Sequence, residues 1–107
     1  MTVWGPTGLA RDWIHVSDVV AGALAVVESG TTDPVNLCTG VATTMGDLAR
    51  MVAGAAGRRA SNVQHLLDKP TGVFWRVGDP NRLRQHYTPK VSIKEGVQRA
   101  VDAVRVS

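Results

Sequence analysis

The sequence predicts a small α/β domain. Short runs of bulky or β-branched residues alternate with stretches whose apolar residues recur at helical spacing, and turn residues sit at the junctions. A chain of 107 residues with 44% hydrophobic and 20% charged residues has enough apolar surface for one folded core, so a disordered tail is not expected. Three or four short strands with about four helices make a thin sheet that keeps at least one uncovered edge. Such an architecture is incomplete and calls for a partner surface.

The elements follow in order. Trp13, Ile14, His15 and Val16 read as a short strand, after which Ser17 and Asp18 supply N-cap and first-turn oxygens. Val19, Val20, Ala23, Leu24 and Val27 then recur with the helical period, and Gly30 ends the run. Residues 35–38, "VNLC", read as a second strand bounded by Gly40. Thr44 and Asp47 form a capping-box variant ahead of Met45, Leu48, Ala49, Val52 and Ala56, the apolar face of a helix closed by Gly57. Residues 62–67 alternate as a third strand, and the chain turns extended again around Val73 to Val77. Asp79 and Pro80 are an N-cap and N1 pair for a short helix through Gln85. Ser92 with Glu95 caps a final helix whose buried stripe is Ile93, Val97, Val101 and Val104, with Glu95 and Arg99 paired four apart on its surface.

Composition excludes several functions. Twelve basic against nine acidic residues leave a net charge of +3, but the basic residues are spread out and form no stripe, and no nucleic-acid recognition motif accompanies them. Specific nucleic-acid binding is therefore not expected. The lone Cys38 can form no internal disulfide and no zinc site, which suits a reducing compartment. The start, "MTVWGPTGLARDW", is no signal peptide and no stretch reaches membrane-spanning length, so a cytoplasmic protein without a membrane partner is expected.

Five blocks in order resemble one family. "VWGPTGLARDWIHVSDVV", "PVNLCTG", "TTMGDLARMVAGAAG", "LLDKPTGVFWRVGDPNRLR" and "TPKVSIKEGVQRAV" look like consecutive segments of the extended short-chain dehydrogenases that act as NAD-dependent sugar-nucleotide epimerases, dehydratases and reductases. The resemblance runs from about Val3 to Val104 and covers only the C-terminal part of such an enzyme. It implies that residues 1–107 are a single substrate-binding lobe with an incomplete Rossmann sheet and no cofactor-binding half. Lys69, Pro70 and Gly72 lean toward members that use GDP-sugars.

The family's hydride chemistry uses NAD or NADP on a glycine-rich turn between a strand and a helix. "GAAGRRA", residues 54–60, has glycine spacing but lies at a helix end, where Gly57 is a C-cap. The family also sets a tyrosine four residues before a lysine on one helix face. The only tyrosine, Tyr87, has Lys90 three residues on with Pro89 between them, so it reads as a packed aromatic before a turn. His15, His65 and His86 fall into no catalytic or metal-ligand spacing, and Cys38 reads as a small buried thiol. No catalytic residue, no resident cofactor and no metal are expected in this stretch.

What the resemblance does imply is a nucleotide-diphosphate-sugar site made by Arg11, Lys69, Arg76 and Asp79. Arg11 matches the family arginine ahead of the strand, and a planar guanidinium suits bidentate contact with phosphate. Without the resemblance Arg11 reads as a surface arginine or a partner for Asp12 or Asp18. Lys69 and Arg76 flank the loop that resembles the nucleotide-covering segment. Asp79 matches an acid near the ribose in relatives, and its place before Pro80 also makes it a helix cap. Trp75 is suited to stacking on a base or to burial in a core or interface. The expectation is a truncated, non-catalytic lobe that binds a nucleotide sugar; the alternative is a self-associating module, a homodimer through the uncovered face.

Overall fold

The computed structural model describes residues 1–59 and 63–106 and is a slab 48 × 33 × 18 Å across. A slab this thin buries few residues completely. Leu9, Ala10, Cys38, Ala49, Ala53 and Leu83 are the buried hydrophobic residues among those described, and most are small. The elements are β1 (Thr2–Trp4), β2 (Ala10–Arg11), α1 (Val16–Ser29), β3 (Thr43–Thr44), α2 (Met45–Ala55), β4 (Gln64–Leu66), β5 (Trp75–Arg76), α3 (Asn81–Arg84) and α4 (Ile93–Val106). They form the expected small α/β fold, with the strands divided between a two-stranded parallel sheet β1-β4 and a three-stranded sheet β3-β2-β5.

Helix α1 has an unexpected cap. His15 is the N-cap, its Nδ1 accepting from the Ser17 backbone N–H at 3.1 Å, so the helix begins at Val16. Gly30 closes it in the left-handed region, φ +73°, and donates its N–H to the Val27 carbonyl. The inner face of α1 is Asp18 and Gly22; a side chain on Gly22 would meet Leu83, Leu37 and Tyr87 at 3.3–3.5 Å. Thr44 caps α2 as expected, accepting from the Asp47 N–H at 3.1 Å, and the Arg58 N–H returns to the Ala53 carbonyl beyond Gly57. Ser92 Oγ accepts from the Glu95 N–H at 3.2 Å, and Arg99 reaches Glu95 at 2.6 Å, as the capping box and the four-residue spacing predict.

Four expectations are corrected. Residues 13–15 are not a strand; the pairing lies earlier, at Ala10–Arg11, and ends with the Asp12 N–H on the Arg76 carbonyl at 3.1 Å, while the Asp12 carboxylate binds residues 39, 40 and 78. Arg11 is thus inside a strand rather than ahead of one. Residues 35–38 form no strand, since no other described segment offers them a ladder. The short helix starts at Asn81 with Pro80 as its N-cap, one residue later than expected, and Asp79 Oδ1 accepts from the Asn81 N–H at 2.9 Å. Val104 is 74% exposed, and Ile93, Val97 and Val101 are half-buried, so the expected stripe of α4 is only partly covered and stops at Val101. Strand β4 lies inside the run expected at 62–67, whose first residue is outside the described residues, and β5 lies inside the extended run 73–77.

An arginine platform held by two carboxylate hubs

Strand β2 is the centre of the candidate site. It pairs parallel with β5, placing Arg11 in register with Arg76, and antiparallel with β3, placing Arg11 opposite Thr43. Residues in register on neighbouring strands share a face and stand about 5 Å apart. The two arginines therefore project from one side of the sheet, and among the described residues neither is ion-paired with a carboxylate. Arg11 is half-buried and pinned: Nη1 donates to the Ala10 carbonyl at 2.9 Å and Nη2 to the Thr71 carbonyl at 3.1 Å. Its remaining N–H groups meet no acceptor among the described residues. A fork held this way has lost much of its rotamer freedom already, which favours binding of a planar or tetrahedral oxyanion.

The loop that steers Arg11 is itself seated on glycine. Gly5 has φ +92°, and a side chain there would lie 2.6 Å from Leu9 Cδ1 and closer still to Thr71. Only a residue without Cβ lets the loop 67–74 settle against it. Gly5 also donates its N–H to the Leu66 carbonyl at 2.9 Å, while its own carbonyl lies 3.0 Å from His65 Nδ1. Gly72, with φ +74°, brings the same loop past the Arg11 guanidinium.

Two aspartates hold the segment on either side of residues 13–15. Asp12 accepts from Thr39 N (3.0 Å), Thr39 Oγ1 (2.6 Å), Gly40 N (2.8 Å) and Gly78 N (3.3 Å), tying β2 to the 39–40 loop and to the start of α3. Burial alone would raise its pKa, but the hydrogen bonds from Thr39, Gly40 and Gly78 outweigh that and hold it below the ordinary 3.8. Asp18, 1% exposed, accepts from Tyr87 Oη (2.6 Å), Lys90 N (3.0 Å) and Val91 N (2.9 Å). Its pKa too is lowered, the burial penalty being exceeded by those three donors with help from His15. Neither aspartate is a partner of Arg11.

The expected site residues do not all converge. Arg11 and Arg76 are brought together. Lys69 lies instead over the Trp4 ring, 6.0 Å from its centroid, and Asp79 turns its carboxylate to the Asn81 N–H. Trp75 is in register with Ala10, one position before Arg76, so by strand alternation it projects from the opposite face; it is 61% exposed. Tyr87 donates its hydroxyl to Asp18, and that hydrogen bond, with burial and the carboxylate charge, raises the phenol pKa above 10.0. It is a structural donor. Cys38 is buried against Gly78, and burial with the charges of Asp12 and Asp79 pushes its thiol up from 9.0. Sequence reasoning missed Thr71 and Asp12, whose roles depend on contacts across 60 and 27 residues of chain.

The described part of the glycine-spaced stretch, residues 54–59, does not fit a dinucleotide. Gly57 follows the C-terminal end of α2, where carbonyl groups face outward and the helix dipole repels phosphate. Among the described residues no group of three or more His, Cys, Asp or Glu could hold a metal ion, and no helix is long and apolar enough to cross a membrane.

No family model matches the chain. Curated relatives do. GDP-L-fucose synthase 2 of Oryza sativa subsp. japonica is 31% identical over 92% of this chain and 28% of its own length. UDP-glucuronic acid decarboxylase 1 of Arabidopsis thaliana is 29% identical over 98% of this chain and 24% of its own length. The chain thus spans about a quarter of the curated relatives it matches. Among solved structures, UDP-glucose 4-epimerase of Thermotoga maritima with UDP-glucose superposes on 98% of the chain with TM-score 0.89 at 25% identity, and 34% of that enzyme is covered. For dTDP-glucose 4,6-dehydratase of Bacillus anthracis with NAD the TM-score is 0.84 at 18% identity, a likeness of fold, with 34% of that chain covered. In sequence and in fold, then, this chain is related to members of the NAD-dependent epimerase/dehydratase family of extended short-chain dehydrogenases and matches their C-terminal portion.

Proposed function

We propose that these residues are the substrate-side lobe of a sugar-nucleotide enzyme and hold the pyrophosphate of a nucleoside-diphosphate sugar on the Arg11–Arg76 platform. The observation that carries this reading is the register of β2 with β5, which pairs Arg11 with Arg76, two residues with no carboxylate ion pair among the described residues. Two such forks neutralise a pyrophosphate dianion better than one lysine does, because each offers paired N–H groups. Lys69, over the Trp4 ring, and Asp79, bonded to the Asn81 N–H, stand apart from this platform. The relatives' names, which include UDP-, GDP- and dTDP-linked substrates, agree on the diphosphate and differ in the base and sugar. The pyrophosphate is thus the shared part.

Isothermal calorimetry with UDP-glucose and a GDP-sugar tests this reading. Saturable binding is expected, weakened about tenfold or more in Arg11→Ala; unchanged affinity in that variant, with fold intact, refutes the assignment. The residues described hold no group placed for hydride or proton transfer, so the 107 residues by themselves are proposed to turn over no sugar nucleotide with NAD or NADP. Product formation in that assay would overturn this. The buried, unpaired Cys38 supports a cytoplasmic setting.

A second reading, self-association into a homodimer, is favoured by one observation. Val16, Val20, Leu24 and Val27 form a stripe along α1 and are 69%, 54%, 58% and 76% exposed. An apolar stripe of this length on a helix normally faces a partner.

A further inference from the structure

Strand β5 is only two residues long, and both Trp75 and Arg76 are exposed. A strand this short has little of its own to hold a side chain in place, so its position is set by what it meets at its ends. At the start, the Ala10 N–H is bonded to the Phe74 carbonyl at 3.0 Å. At the finish, one residue makes two contacts: the Asp12 N–H donates to the Arg76 carbonyl at 3.1 Å, and Asp12 Oδ2 accepts from the Gly78 N–H at 3.3 Å. Both lie within two residues of Arg76. Asp12 therefore grips the piece of chain on which Arg76 stands.

The packing around this clamp leaves little slack. A Cβ on Gly78 would lie 2.6 Å from Cys38 Sγ and 3.7 Å from Asp12 Oδ2, so the chain closes on both because that residue is glycine. The rest of the carboxylate is taken up by the Thr39 N–H at 3.0 Å, the Thr39 hydroxyl at 2.6 Å and the Gly40 N–H at 2.8 Å. Such charge-assisted bonds are the strong ones. Arg11 is secured differently, by the Ala10 and Thr71 carbonyls. The two arginines thus have separate supports.

We propose that Asp12 is a positioning residue for the bound diphosphate: it sets where Arg76 stands beside Arg11 and so decides whether both guanidinium groups reach one pyrophosphate. The inference rests on the Arg11–Arg76 reading given above. Asp12 meets no ligand, since its carboxylate is occupied by protein donors, and it acts through Arg76. A fork about 1 Å out of place no longer meets both oxygens of its partner.

The test is a double-variant cycle, read by calorimetry with UDP-glucose on the 107-residue protein. Asp12→Asn keeps the shape of the side chain and gives up its charge; it should weaken binding about fivefold, and Arg76→Ala about tenfold. The double variant should bind no more weakly than Arg76→Ala, because Asp12 then has nothing left to place. Thr39→Val loosens the same carboxylate on the side away from β5, and it should lower the melting temperature while keeping the wild-type affinity. In the unaltered protein, hydrogen exchange at the Gly78 amide should slow as UDP-glucose is added, since opening of the clamp and binding exclude each other. That measurement decides the matter even where Asp12→Asn does not fold. Full affinity in Arg76→Ala overturns the platform and this inference with it. Weakened binding in Arg76→Ala beside full affinity in Asp12→Asn, additive losses in the double variant, an equal loss in Thr39→Val, or Gly78 exchange indifferent to UDP-glucose each overturns this inference alone.

Discussion

Asp18 shows how a single residue carries much of this fold. Three donors from a segment about 70 residues downstream converge on its carboxylate, and it has almost no contact with water. The charge is tolerated because every lone pair it turns inward is used. Tyr87→Phe removes one hydrogen bond to a charged group and should cost about 1.5–3 kcal/mol in denaturant unfolding; Asp18→Ala orphans all three donors and should cost more. The pH dependence follows from the sign of the shifts. Asp12 and Asp18 both have pKa values below the ordinary 3.8, so their stabilisation is complete above that value and is lost as pH falls through the lowered ones. Unfolding midpoints should stay level as pH drops to about 5 and fall steeply below 3.8. A midpoint in Asp18→Ala that declines just as steeply would assign the acid sensitivity elsewhere.

Among the elements, the loop between β4 and β5 matters most for the site. It is irregular, yet it is fixed at one end by Gly5 under Thr71 and at the other by the β2–β5 ladder. Gly5→Ala meets both a left-handed backbone and a filled space, so it should destabilise the protein by about 2 kcal/mol or more. Because Thr71 holds Arg11, the same change should also lower nucleotide-sugar affinity in calorimetry. Gly54→Ala, with open space around the Cβ and a helical backbone, is the matched control and should be neutral or slightly stabilising. The helices were more legible in the sequence than the strands. Thr44, Ser92 and Gly30 act within their own turns, so local chemistry reveals them. A two-residue strand such as β3 is defined only by its neighbour, which no local pattern encodes.

The whole molecule is a slab with an uncovered helix face. The α1 stripe exposes four large apolar side chains in a row, while the opposite side of the helix is packed by Leu83, Leu37 and Tyr87. If the stripe pairs two copies, sedimentation velocity over a dilution series should show a monomer–dimer equilibrium, and Leu24→Glu should shift it to monomer without loss of melting temperature. A monomer at the highest concentration tested would reject self-association through this face.

Capping residues, helical periods and the order of the blocks are local or nearly local, and the sequence by itself therefore determined the helices, the α/β class and the family to which the chain is related. It also pointed to Arg11, Lys69, Arg76 and Asp79 as a set. Tertiary structure alone decided which of them meet, because pairing across the chain depends on register and on where carboxylates are drawn. Arg11 and Arg76 share a sheet face because β2 and β5 run parallel; Lys69 goes to Trp4 and Asp79 to its own helix. The same kind of long-range contact sets the strand at Ala10–Arg11 and takes the Asp12 carboxylate to Thr39, Gly40 and Gly78.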